Sequence, residues 1–153
     1  MAACSRIHFW RKVGLNASRV LRALATATVL AGCGESVEPA VPRLVLTPSA
    51  LTFAATQNGA NPIGQTATIS NNSNGLLSNL SVGNIQYGPG PIGWLQTPVL
   101  SGTTANPTAF VGIQPLTGNL APGTYTATIP VLSSVASNSP QNVSITFTVS
   151  PAP

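Results

Sequence analysis

From Leu44 to Pro153 the chain contains no aspartate, glutamate, lysine, arginine, histidine, cysteine or methionine. Each absence removes a class of function. Without carboxylates or histidine the usual general acids and bases are missing, and there is no paired-acid hydrolysis and no usual donor set for zinc or calcium. Serine and threonine are plentiful, but a hydroxyl needs a neighbouring base to become a nucleophile, and this region supplies none. Without thiols there is neither cysteine catalysis nor a disulfide within the region, so packing alone must hold it together. No glycine-rich phosphate loop occurs. The expectation is a protein that is not an enzyme and that takes no metal or cofactor.

The formal charge of +4 suggests a basic protein until the charges are located. Arg6, Arg11, Lys12, Arg19 and Arg22 all lie in the first 22 residues, and only Glu35, Glu38 and Arg43 follow Cys33. Beyond Cys33 two carboxylates face one guanidinium, a side-chain charge of −1. A nucleic-acid surface needs many cations to displace counterions from phosphates. One arginine excludes nucleic acid as a partner.

The basic residues are followed by an apolar run from Ala23 to Leu30 and then by small residues at Ala31 and Gly32. A charged start, a short apolar stretch and a small-residue end are the three parts of a secretory signal. The run is shorter than the roughly 20 apolar residues needed to span a bilayer. Leu30-Ala31-Gly32-Cys33 resembles the lipobox of bacterial lipoproteins. That resemblance implies signal-peptidase recognition through Leu30, Ala31 and Gly32, cleavage of residues 1–32, and diacylglyceryl attachment with further acylation (palmitate-type chains) at Cys33. It also implies an exported protein held in the cell envelope by lipid. Gly34 is not the aspartate that retains many such proteins at the inner membrane, which favours the outer membrane in a Gram-negative host. Residues 33–43, with Pro39 and Pro42 and no period, read as a lipidated N-terminus and short extended tether.

From Leu44 onward the pattern has a period of two, the signature of strands with one dry and one wet face. In the final run Val143, Ile145, Phe147 and Val149 point one way and Asn142, Ser144, Thr146 and Thr148 the other. Tyr125, Ala127, Ile129 and Val131 alternate in the same manner with threonines and Pro130. Pro130 has no N–H, which predicts an interruption, a bulge or an edge there. Further strands are expected at 44–46, 51–54, 65–71, 80–87, 94–99 and 108–114, with Pro48-Ser49 breaking the first into two pieces that serve different sheets. Asn58-Gly59, Asn74-Gly75 and Pro122-Gly123 supply turns, and Ser70–Asn79 reads as a longer polar loop. About seven to eight short strands with no helical period predict a single all-β domain over 44–153, an immunoglobulin-like antiparallel sandwich.

Two aromatics, Tyr87 and Trp94, flank the rigid stretch Gly88-Pro89-Gly90-Pro91-Ile92-Gly93. Two readings compete. Exposed rings would stack on sugar faces while Asn84, Gln86 and Gln96 bond hydroxyls; buried rings would fill the core of a domain with few aromatics. Solvent exposure separates the two. Tyr125, after Leu120-Ala-Pro-Gly-Thr, is placed to fasten the loop before its strand. With no lysine to guard them, strand edges are expected to favour self-association or an edge-covering partner.

Leu44-Val-Leu-Thr-Pro-Ser-Ala-Leu-Thr-Phe53, Gln65-Thr-Ala-Thr-Ile-Ser-Asn71, Trp94-Leu95, Ser101-Gly102, Gly123-Thr-Tyr-Thr-Ala-Thr-Ile129 and Val143-Ser-Ile-Thr-Phe-Thr-Val149 together resemble the bacterial immunoglobulin-like domains of the BACON type. That resemblance implies carbohydrate or mucin binding, a role such domains often fill beside catalytic domains. The expected function is a lipid-anchored, non-enzymatic envelope binding or adhesion module for a neutral glycan or a protein partner. The alternative is a structural or assembly subunit of an envelope complex that works through its strand edges.

Overall fold

The period of two is realised as nine strands, seen in a computed structural model that describes residues 41–153. They are β1 (Leu44–Thr47), β2 (Ala50–Thr56), β3 (Gln65–Asn71), β4 (Leu80–Val82), β5 (Gln86–Tyr87), β6 (Val99–Leu100), β7 (Thr108–Ile113), β8 (Gly123–Ser133) and β9 (Gln141–Ser150). No helix occurs among the described residues. The signal segment 1–32, with Leu30, Ala31 and Gly32, and the lipidation site Cys33 lie outside them.

Two sheets face each other, one ordered β1-β3-β7-β6 and the other β2-β9-β8-β4, with β5 also pairing with β8. The arrangement is an immunoglobulin-like sandwich. On β9 Val143, Ile145, Phe147 and Val149 are buried, and on β8 so are Tyr125, Ala127, Ile129 and Val131. Leu44, Leu46, Ala67, Ile69, Ala109, Val111 and Ile113 meet them from the other sheet. The strands therefore remove one face from water and leave most of their threonines, serines and asparagines on the other; Ser133, at the end of β8, is buried, and its hydroxyl donates to the Ser78 carbonyl at 2.7 Å. All nine strands and the whole core fall within the compact unit Val37–Pro153.

Pro48-Ser49 divides the first strand as expected. β1 pairs antiparallel with β3 in one sheet, and β2 pairs with β9 in the other. The second pairing is parallel, from Ala50↔Ser144 to Thr56↔Ser150, so the expectation of an all-antiparallel sandwich is corrected at this strand. The reason is geometric. Crossing between sheets without reversing direction brings β2 alongside the last strand pointing the same way.

Pro130 does not interrupt its own strand. β8 runs unbroken through it, paired with Asn142 on one side. On the other side the register slips: β4 pairs Val82↔Val131, while β5 pairs Gln86↔Thr128. Gly83, Asn84 and Ile85 thus oppose only Pro130 and Ile129, and the extra residue makes a bulge. The Gly83 N–H donates to the Pro130 carbonyl at 2.8 Å. Pro130 has no N–H to return, so the neighbour leaves the ladder there. The single strand expected over 80–87 is accordingly two short pieces.

The strand expected over 94–99 is mostly irregular. Leu95 makes an isolated bridge to Pro115, and only Val99–Leu100 form regular pairing. In the turns, Asn58 and Gly75 adopt positive φ, whereas Gly123 does not and simply opens β8. The Ser70–Asn79 stretch begins as the end of β3 and then plugs the core with Leu77, fully buried and bridged to Ala105. Asn71 organises its start: its Oδ1 accepts from the backbone N–H of Arg43 and Ser73, and its Nδ2 donates to the Gly75 carbonyl at 2.7 Å.

Tyr125 fastens the loop before its strand. Its hydroxyl donates to the Ala121 carbonyl at 2.6 Å while its ring stays in the core, the tyrosine-corner device of immunoglobulin-like sandwiches.

Candidate functional site

Tyr87 and Trp94 come together, but not as a flat platform. The backbone of Trp94–Gln96 runs against Gln114–Leu116: Leu116 N–H donates to the Trp94 carbonyl at 2.7 Å and Gln96 N–H to the Gln114 carbonyl at 3.0 Å. This pairing turns the indole inward, where it is only 3% exposed. Its ring centroid lies 5.6 Å from Tyr87 at 66°, 5.7 Å from Phe147 at 36° and 6.2 Å from Tyr125 at 52°. Edge and tilted contacts of this kind are how aromatic rings pack in cores. Trp94 offers no face for stacking on a sugar, and its assignment as a ligand contact is corrected: it is the centre of a four-ring cluster.

Tyr87 is half-buried and lies at the rim of that cluster. It lines an open cleft of about 430 Å³ together with Val82, Gly83, Asn84, Ile85, Thr97 and Pro98. The cleft exists because of the bulge. With Gly83–Ile85 displaced from the β8 ladder, the edge of one sheet separates from the segment that enters β6 on the other. Period-two alternation points Tyr87 inward and Gln86 outward, so Gln86 does not line the cleft. Gln96 lines a second, smaller depression of about 250 Å³ with Gly64, Gln65, Thr66, Val99 and Gly112. Of the residues expected to act together, only Tyr87 and Asn84 share a cleft. Thr97 and Pro98 carried no signal in the sequence, since they join the site from a segment outside regular pairing.

No lining residue of either cleft is charged. Among the described residues no group of histidine, cysteine, aspartate or glutamate is placed to hold a metal ion. Among the described residues every buried side-chain polar atom has a partner; the buried Thr117, for example, donates its hydroxyl to the Ala60 carbonyl at 3.1 Å. What the cleft offers is the Tyr87 phenol, the Asn84 amide, the Thr97 hydroxyl and an apolar floor. Groups of this kind can hydrogen-bond to a neutral ligand, and none of them supplies a counter-charge for an ionic one.

No family model matches the chain, and no curated protein matches it. Among solved structures it is similar to a family 123 glycoside hydrolase from Clostridium perfringens, concerned with glycolipid glycan hydrolysis, at 12% identity and TM-score 0.41, over 66% of this chain and 22% of that one. It is similar to the endo-fucoidan hydrolase MfFcnA4 of glycoside hydrolase family 107 at 14% identity and TM-score 0.40, over 73% of this chain and 14% of that one. A third, WR4, a C. elegans MSP family member, matches at 12% identity and TM-score 0.37, over 70% of this chain and 97% of that one. The chain thus spans about a fifth and a seventh of the two hydrolases, and all three likenesses are distant ones of fold.

Proposed function

We propose that this chain is a lipid-anchored, non-enzymatic module of the bacterial cell envelope that binds a neutral ligand, a glycan, in the cleft beside Tyr87. The observation that carries the reading is the cleft itself: a bulge-made opening with hydroxyl, amide and phenol groups, in a domain with no carboxylate, imidazole, thiol, lysine or arginine side chain from Leu44 to Pro153. Sugars are recognised by hydrogen bonds to hydroxyls and by contact of their C–H faces with rings, and neither needs charge. The anchor is the lipid expected on Cys33.

Two measurements test it. Cys33→Ala in the full chain is expected to move the protein from the membrane fraction to the soluble one; persistence in the membrane would refute the anchor. For the ligand, a panel of neutral glycans is titrated against residues 37–153 while Trp94 emission is followed. Tyr87 touches Trp94, so filling the cleft changes the indole's surroundings. Saturable binding that is lost in Tyr87→Ala and Asn84→Ala, with the unfolding midpoint of Asn84→Ala unchanged, is the expected result. A wild-type protein indifferent to the whole panel would sink the glycan reading.

A second reading, assembly through a strand edge, is favoured by one specific observation: β2 is an uncharged edge strand of seven residues with no proline.

A further inference from the structure

The sandwich has four edges, and three are blunted. At β1 the Asn138 carboxamide closes on the backbone of Leu44, accepting from its N–H at 2.8 Å and donating to its carbonyl at 2.9 Å. β6 is two residues long. The β4/β5 edge is broken by its bulge. β2 runs unbroken for seven residues, and the Gln65 carboxamide on its edge takes only the carbonyl of Thr52.

Which of its backbone groups face outward follows from the ladder. Ser144 N–H donates to the Ser49 carbonyl and Gln57 N–H to the Ser150 carbonyl. In a parallel pair alternate residues bond to the neighbour, so Ser49, Leu51, Phe53, Ala55 and Gln57 face β9. Ala50, Thr52, Ala54 and Thr56 then face the open side. Two of their carbonyls have partners: Thr52 accepts from Gln65 Nε2 at 2.9 Å, and Thr56 accepts from Gly59 N–H at 2.9 Å. The N–H and C=O groups of Ala50 and Ala54 and the N–H of Thr52 have no protein partner among the described residues.

We infer that β2 pairs antiparallel with β2 of a second copy, about a two-fold axis at Thr52. That axis sets Thr52 opposite Thr52 of the other copy and Ala50 opposite Ala54. The open donors of Ala50, Thr52 and Ala54 then each meet an acceptor of the same edge, and the Thr56 N–H lies beyond the pairing. Thr56, whose carbonyl is occupied, stays outside the pairing. The Thr52 carbonyl has two lone pairs and accepts the partner's N–H beside Gln65.

The occupant is a second copy because the edge is its own complement, and an isologous contact requires exactly that self-matching. Charge points the same way. The repulsion that normally keeps like chains apart is absent between Leu44 and Pro153, whereas a charged peptide would meet no counter-charge beside β2. The outward side chains of β2 at the contact are only alanine and threonine, and the larger Gln65 carboxamide beside them must share the Thr52 carbonyl with the partner. One ribbon of this length buries less than the roughly 1,200–2,000 Å² of a stable interface, so the dimer forms in proportion to concentration. The inference is independent of the cleft and of the anchor.

The test uses disulfide trapping of residues 37–153, which hold every strand and contain no cysteine of their own. Residues directly opposite one another in a hydrogen-bonded antiparallel pair have Cα atoms about 5.5 Å apart, inside the range of about 4.4–6.8 Å that a disulfide spans. Thr52→Cys is expected to give a reducible dimer on mild oxidation, with Ala54→Cys and the wild type remaining monomeric. No dimer from Thr52→Cys, or one from Ala54→Cys in its place, overturns the axis. In solution, sedimentation of residues 37–153 should show a dimer that dissociates on dilution. Thr52→Lys puts two ammonium groups face to face and should weaken it about tenfold or more at low salt, with recovery as salt screens them. Circular dichroism and Trp94 emission unchanged from wild type would show that the variant is folded. A wild type that stays monomeric at the highest soluble concentration refutes the pairing.

Discussion

Phe147→Ala should be the most destabilising single truncation in this sandwich. Phe147 sits mid-strand on β9, fully buried, opposite Phe53 on β2 and Tyr125 on β8. Its ring centroid is 5.7 Å from Trp94 and 6.5 Å from Tyr125. Removing a buried phenylalanine ring costs about 3–5 kcal/mol once the residual cavity is included. Loss of two ring pairs, at about 0.5–1.5 kcal/mol each, places the change toward the upper part of that range. Both flanking strands are tied to β9 through their backbones and cannot close the gap. A domain of this size has a total stability of about 5–15 kcal/mol. With a urea slope of about 2 kcal/mol/M, the midpoint should fall by about 2 M. Urea unfolding of residues 37–153, followed by Trp94 emission and by far-ultraviolet circular dichroism, measures it. The native emission should also shift to the red, since the indole loses a neighbour. A midpoint shift below about 0.5 M would refute the placement of this ring at the centre of the core.

Stability should be nearly independent of pH. Its slope is proportional to the difference in bound protons between unfolded and folded chains, and from Leu44 to Pro153 only Tyr87 and Tyr125 carry titratable side chains. One perturbed carboxylate can contribute about 2.6 kcal/mol across the acid range, so a change above about 0.5 kcal/mol between about pH 3 and pH 8 would contradict this account. Tyr125→Phe removes only the bond to Ala121 at 2.6 Å and keeps the ring in place. Ala121 is exposed, so its freed carbonyl is rehydrated and the loss should be about 0.5–1.5 kcal/mol. A loss as large as that of Phe147→Ala would mean that the hydroxyl does more than fasten the loop.

Much of the fold is legible in the chain because strand alternation is a local property. The inward faces of β8 and β9, the break at Pro48-Ser49 and the tyrosine that pins its own loop all depend on residues close in sequence. Pro130 shows where local reasoning stops. Its missing donor predicts a defect, but which strand yields depends on what lies beside it, and there it is Gly83–Ile85 that bulge while β8 continues. Trp94 shows the same limit at the candidate site. A tryptophan after a Pro/Gly loop is equally suited to a sugar platform and to a core plug. The choice is made by backbone pairing with Gln114–Leu116, some twenty residues away in sequence.

Composition by itself determined the side chains on offer: with no carboxylate, imidazole, thiol, lysine or arginine from Leu44 onward, the domain presents side chains that are neutral near pH 7. Tertiary structure decided where they can make contact. Burial took Trp94 out of reach, the bulge opposite Pro130 opened a cleft at Tyr87, and the parallel docking of β2 on β9 left one edge unpaired. The physical reason for the division is that side-chain chemistry belongs to each residue alone. Exposure and open backbone groups are properties of what lies next to a residue in space, and no local pattern carries them.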